Sequence, residues 1–403
     1  MLPLSSQFSH RESATMFHST CFIRPFSTTF NVLLTVSALT LTSTHAPLSH
    51  AQPGEIRVMQ ILDRAGVNAD LSRDYFVGAK LWFDQLNGQG GVAGKRVRLV
   101  TTDTSGEPAE MERAAVTAAS SGADVLFGMV SDDAVARIAA NPAFRKTGVP
   151  LFAPVTGFAV NSEQSNVFPV RATYQTEINK MFDYALTLGF TKIAVLVSKD
   201  ESMQKMRALF TEIAVERRVV LGAVEELDVD ATDKDIDAAV ARLKRAAPQA
   251  VMVAGDALLL GRFSTAIRKL STGILIMGTS QVNHRAIMEL APKAMNGGMM
   301  LTQAVPAPNQ GKSKLVREYI AAVRAGLEEQ PNHASLEGYI AARALTEVLR
   351  TSRARNASEI SAALRNTTSL DMEGVVLQVG QNRQKYRNYT DLALVRANGA
   401  VVH

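Results

Sequence analysis

At 403 residues the chain exceeds what one ordinary hydrophobic core organises and leaves room for about two domains. Hydrophobic residues make up 46% and charged residues 20%, the composition of a globular protein rather than a disordered or fibrous one. The net charge is +5 and the pI about 9.3, yet Lys and Arg alternate with Asp and Glu. With no basic stripe or aromatic-spaced basic patch, the sequence argues against a nucleic-acid partner.

The first 51 residues differ in kind from the rest. Arg11 and Arg24 precede an uncharged apolar run, Val32 to Thr42, followed by Ser49-His50-Ala51, a small-x-small cleavage site. This predicts a secretory signal peptide over 1–51 and a mature chain beginning near Gln52 in the periplasm. The apolar run is short of the ~20 residues that span a bilayer. Met16 is as good a start as Met1. The one cysteine, Cys21, lies inside this leader, so the mature chain has no disulfide or thiolate chemistry.

Ile56 to Leu62 reads as a buried strand, and the stretch from Leu71 to Thr104 organises the rest of the chain. Tyr75, Phe76, Ala79, Trp82, Phe83 and Leu86 recur at spacings of three and four, one wide apolar stripe, with Arg73, Asp74, Lys80 and Asp84 opposite. Ser72 is the expected N-cap, Asn87-Gly88 ends the helix, and Gly90-Gly91 and Gly94 turn the chain into the strand RVRLVTTDT. Helix 108–121, strand 123–129, helix 132–140 and strand 149–154 continue the alternation. A second series comes after FPVRATY: helix 175–188, strand 192–198, helix 201–217, RVVLGAVEEL, helix 233–246, strand 249–255, helix 257–270 and strand 273–280. Apolar strands alternating with amphipathic helices predict α/β units with mostly parallel sheets covered on both faces.

Several patterns resemble chemistry that their context excludes. Gly88-x-Gly90-x-x-Ala93 comes after a helix and precedes a strand, the reverse of a dinucleotide fingerprint, so no cofactor is expected. LDVDATDKDID holds five aspartates but lacks the glycine and terminal glutamate of a calcium loop. Thr232 with Asp235 reads there as a helix N-cap pair. His284, His333 and His403 are scattered, with no metal-ligand spacing, so no metal is expected. No GxSxG, HExxH or Walker A motif occurs, and no catalytic residue is nominated.

The pattern R-D-Y-x-x-G-A-K-L-x-F-D-x-L-N-x-x-G-G-V-x-G-K-x-V, from Arg73 to Val97, resembles the first helix and glycine turn of periplasmic substrate-binding proteins of the leucine/isoleucine/valine type, the extracytoplasmic subunits of ABC importers. Weaker landmarks, among them Ser335 to Arg350 and the Val305-Pro306 turn, extend the likeness over most of the chain. The resemblance implies a type I periplasmic binding protein: two Rossmann-like lobes joined by a three-crossing hinge, with crossings near Arg171–Thr173, Gln303–Pro306 and Glu373–Val375. Lobe 1 is then expected over 52–172 and 305–373, and lobe 2 over 173–304 and 374–403. It further implies a monomer that closes on a small-molecule ligand and delivers it to an inner-membrane ABC permease. A periplasmic sensor and an α/β enzyme are the alternatives.

Ligands of open α/β sheets bind beyond the strand C-termini. Gly128 to Asp133 and Pro154 to Phe158 place hydroxyls and free N–H groups there, so Ser131, Asp132, Asp133, Thr156 and Gly157 are candidate ligand contacts, with Tyr174 at the first crossing. The family likeness implies that such loops hold a ligand carboxylate, and here Asp132 or Asp133 stands where serine is usual. In the second lobe it implies aromatic residues at Ser202 and at Asp256 or Ala257, and an acidic residue at Ser280. The scaffold is kept while the amino-acid pocket is not. The expectation is that branched-chain amino acids bind poorly and that a different small polar or carboxylated molecule is held by Ser131, Thr156 and Tyr174 and discriminated by Asp133 and Asp256.

Overall fold

The computed structural model describes residues 54–228, 230–326, 330–379 and 388–403. The leader, Cys21, the cleavage site and Gln52 lie outside the described residues. β1 (Ile56–Asp63), α1 (Ala69–Gly88), β2 (Val97–Thr104), α2 (Pro108–Ser120), β3 (Val125–Phe127), α3 (Asp132–Ala140), α4 (Pro142–Lys146), β4 (Leu151–Phe152), α5 (Ser162–Ser165) and β5 (Val167–Phe168) form the first series. Its five strands make a parallel sheet of order β2-β1-β3-β4-β5.

The second series runs α6 (Tyr174–Thr187), β6 (Ile193–Ser198), α7 (Glu201–Glu216), β7 (Leu221–Leu227), α8 (Asp233–Ala246), β8 (Ala250–Ala254), α9 (Ala257–Arg268), β9 (Leu275–Gly278), α10 (His284–Leu290) and β10 (Met299–Gln303). Then α11 (Lys314–Gly326), α12 (His333–Ser352), α13 (Ala357–Asn366), a small hairpin of β11 (Ser369–Asp371) and β12 (Val376–Gln378), β13 (Asp391–Val395) and β14 (Val401–Val402) complete the chain. The second sheet has the order β14-β13-β10-β9-β8-β6-β7, parallel through β10 and antiparallel at β13 and β14. The molecule is thus an α/β fold with two mostly parallel sheets, one in each lobe.

Strand alternation distributes the cores. On β1, Val58 faces α1 and α12, whereas Ile61 faces α2 and α3. Around the second sheet, α8 and α9 cover one face, while α6 and α7 cover the other. Residues of α11, α12 and α13 pack in the first lobe's core, so this lobe is closed by chain that comes after the second sheet. Val375, Leu377 and Val379 are still in that core, and the chain next enters the second sheet at Asp391.

The organising helix differs from expectation in two places. It begins at Ala69, not after Ser72, because the Asp63 carboxylate gathers the N–H groups of Ala65, Gly66 and Asn68, and Ser72 Oγ instead accepts from Asp63 N at 3.1 Å. Asp74, expected on the solvent face, is only 1% exposed and is covered by Arg73 and Arg285. Thr232 and Asp235 form the expected capping box of α8.

Candidate functional site

Loops and helix starts that follow strand C-termini of the two sheets meet, Asp132 and Asp133 after β3 with Gln281 after β9 and Ser202 after β6, and they decide what the cleft contains. After β3 the chain turns through Gly128 and Met129, both at positive φ, and after β4 through Ala153 at φ 53. A bridge between Val130 and Val155 holds these two loops together. Left-handed backbone at a non-glycine residue costs free energy that the surrounding packing must offset. Here it turns α3 so that its first residue enters the cleft.

Asp132 is that residue, and it is 8% exposed. Thr156 Oγ1 donates to it at 2.5 Å, Tyr174 OH at 2.7 Å and Gln281 Nε2 at 3.0 Å, the last from the opposite lobe. Burial pushes its carboxyl above the ordinary aspartate range, against the pull of those three hydrogen bonds and of Arg171. The Tyr174 phenol is raised well above its ordinary value by burial and then by Asp132. Gly157 lets Tyr174 in: its carbonyl accepts from Tyr174 N at 2.8 Å, and a Cβ on Gly157 would lie 2.5 Å from the tyrosine ring. Phe158 packs edge-on against the same ring at 4.9 Å.

Other expected site residues are divided between the cleft and local capping. Ser131 Oγ caps α3 by accepting from Ala134 N at 3.2 Å. Asp256 caps α9, accepting from Leu259 N at 2.7 Å, and has no described contact across the cleft. Asp133 meets Ser202 from the other lobe. Ser280 donates through N and Oγ to Glu177 at 2.9 and 2.8 Å and accepts from Arg171.

Sequence reasoning missed four residues that complete this layer. Arg171 is 4% exposed and lies 3.5 Å from the Glu337 carboxylate. Burial opposes its charge, yet Glu337 and Glu177 hold its pKa above the ordinary arginine value. Glu177, fully buried, takes bonds from Ser280 and Thr302. Gln281 reaches Asp132, and Arg285 reaches Asp74 across the lobes. One signal was available: Glu177 sits inside the apolar stripe Tyr174, Ile178, Met181, Phe182 and Ala185, where a charge needs a buried partner. Beside the cluster, a groove of about 550 Å³ opens between α3, the loop after β4 and α7, with Asp132, Thr156, Phe158, Ser202 and Lys205 on its walls. That volume is in the range of small-molecule sites. Among the described residues no group of three or more His, Cys, Asp or Glu could hold a metal ion, and no helix is long and apolar enough to cross a membrane.

A family model described as periplasmic binding protein matches residues 55–400. No curated protein matches the chain. Among solved structures, a substrate-binding periplasmic protein from Ralstonia solanacearum is 25% identical, with a TM-score of 0.76 over 86% of this chain and 99% of that one. An extracellular ligand-binding receptor from Verminephrobacter eiseniae is 22% identical, with a TM-score of 0.75 over 87% and 100%. The branched-chain amino acid transporter substrate-binding protein LivJ from Streptococcus pneumoniae, solved with isoleucine, is 20% identical, with a TM-score of 0.74 over 87% and 98%.

Proposed function

The chain belongs to the periplasmic binding protein family, and from that premise we propose that it is the extracytoplasmic solute-binding subunit of an ABC importer. It works as a monomer in the periplasm, closes its lobes on a small polar ligand and hands that ligand to an inner-membrane permease. The lobes divide near residue 172 and near residue 305, with the last passage after Val379. The observation that carries the reading is the row of polar contacts between strand C-termini of the two lobes: Asp132 to Gln281, Asp133 to Ser202 and Arg171 to Ser280.

Those contacts also bear on the ligand. Isoleucine is bound by the relative LivJ. Here a carboxylate, Asp132, stands among the hydroxyls of Thr156 and Tyr174, and a ligand carboxylate placed beside it meets like charge. The ligand therefore presents a donor, an amide, hydroxyl or ammonium group, to Asp132. A branched-chain amino acid that set its ammonium against Asp132 would leave its α-carboxylate without the hydroxyls of Thr156 and Tyr174, which Asp132 already engages, so branched-chain amino acids bind poorly. Asp132, Asp133, Thr156, Tyr174, Ser202 and Ser280 form the contact set, whereas Ser131 and Asp256 act through the helix starts they cap.

A thermal-shift screen over amino acids, amides, polyols and aromatic acids is the direct test. A ligand at 100 times its dissociation constant adds about 2.7 kcal/mol to stability. Small-angle scattering should then show the radius of gyration falling on addition of that ligand. Tight binding without compaction, or chemical conversion of the bound compound, would overturn the reading. Micromolar binding of leucine, isoleucine or valine would overturn the ligand class alone.

A further inference from the structure

The three histidines of the described chain, far apart in sequence, meet at one place. His333 is the first residue of α12 in the first lobe, His403 comes after β14 in the second, and His284 opens α10 beside them. His333 Nε2 and His403 Nε2 are 3.1 Å apart, with ring centroids 5.1 Å apart. His284 and His333 line one cavity of about 30 Å³ between the lobes, together with Ser280, Gln303, Asn332 and Glu337. A cavity of that size holds one or two waters.

We infer that this cluster is a proton-operated latch between the lobes: with neutral rings His333 and His403 share a hydrogen bond that ties the start of α12 to the second sheet, and with both facing nitrogens protonated the tie is lost and the cleft opens.

The chemistry rests on the imidazole inventory. In the neutral pair one Nε2–H donates and the other Nε2 accepts. One added proton can be accommodated, as imidazolium donating to imidazole. A second puts N–H groups and positive charges face to face. Most charged groups around the pair are already engaged elsewhere. Arg285 adjoins His284 and is paired with Asp74 of α1. Glu337, one turn along α12, is paired with Arg171. Tyr319 of α11 donates to the Asn332 carbonyl. Lys312 faces His403 and opposes its protonation, while Asp391 of β13, 3.7 Å from Lys180, favours it. His403 therefore takes the first proton. His333 sits at the positive end of the helix it begins, which opposes the second. Burial lowers the pKa of all three rings, that of His284 to about 4.

The test uses the whole chain, with small-angle scattering and far-UV circular dichroism read from about pH 7.5 down to the onset of acid unfolding. The radius of gyration of the wild type should rise within that window while the helical signal stays constant. In His333→Gln and His403→Gln, whose amides can hydrogen-bond but do not titrate there, the rise should disappear. The imidazole Cε1–H resonances of His333 and His403 in the wild type should titrate as a linked two-proton pair below the ordinary histidine value of about 6.5. No rise in the wild type, an equal rise in both variants, or two independent titrations near 6.5 would each overturn the latch.

Discussion

Asp132 lies where burial disfavours its charge, and this gives it two measurable consequences. Its folded pKa is raised above the ordinary value of 3.8. Between those values the folded chain holds a proton that the unfolded chain has released. The stability from this group is therefore fully present below 3.8 and is lost as pH rises through the folded pKa. Asp132→Asn should remove that slope, so the variant gains stability relative to wild type as pH increases across the window. Urea midpoints measured across that pH range check the sign, and a constant difference would contradict it. The second consequence concerns binding. Loss of a hydrogen bond to a charged group is worth roughly 1.5–3 kcal/mol, so Asp132→Ala should weaken the ligand found by screening about ten- to a hundredfold in calorimetric titration. The position of Asp132 at a strand C-terminus was legible in the sequence. Thr156 and Tyr174 were placed at the same site, but the bond to Gln281 was not legible, since that residue is 149 positions away and only the fold brings it in.

At the scale of elements, the crossing of α1 and α12 rests on two glycines. A Cβ at Gly78 would lie 1.7 Å from the Ser335 carbonyl oxygen, and one at Gly338 1.9 Å from that of Tyr75. The atoms met are backbone, which cannot swing aside, so the helices would have to separate. Overpacking in a tight core costs typically 1–3 kcal/mol, and Gly78→Ala should reach about 3 kcal/mol in chemical denaturation. An unchanged midpoint would show that the helices can part freely. Near the crossing, Trp82 donates to Thr346 Oγ1 at 2.9 Å, meets Tyr339 edge-on at 5.3 Å and lies under the Arg343 guanidinium. Periodicity gave the apolar stripe of α1 and the main alternation of strands and helices in the two series, because these signals are local, but not α4, α5, β5, α10 or β10, most of which are too short to show a period. It could not give the role of Gly78, nor the burial of Asp74, because both depend on residues more than 200 positions later.

For the whole molecule, the proposed closure makes ligand affinity depend on how readily the lobes meet. Arg285 of one lobe reaches the buried Asp74 of the other, and Asp133 meets Ser202. Apparent affinity scales with the fraction of molecules in the competent state. Arg285→Gln should therefore raise the radius of gyration without ligand and weaken ligand binding about tenfold, a cost of about 1.4 kcal/mol. Asp74 keeps Arg73 as a partner, so the fold should be retained. Equal scattering and equal affinity would show that the contact results from closure rather than favouring it. The two-lobed plan was legible in the two αβ series. The polar layer between the lobes was not, since each of its bonds joins segments that sequence order separates.

The return of α11, α12 and α13 to the first lobe sets a clock on how the protein is made. The sheet that is synthesised first lacks one of its covering layers until the chain has passed through the second sheet, and that second sheet still awaits β13 and β14. Trp82 must wait 264 residues for Thr346. Contacts of such sequence separation are formed late and slow folding, while apolar strands left uncovered invite aggregation. A nascent chain emerging from its N-terminus thus has no lobe that can finish alone, and truncation anywhere before α13 should leave both halves unfinished rather than yield one stable half.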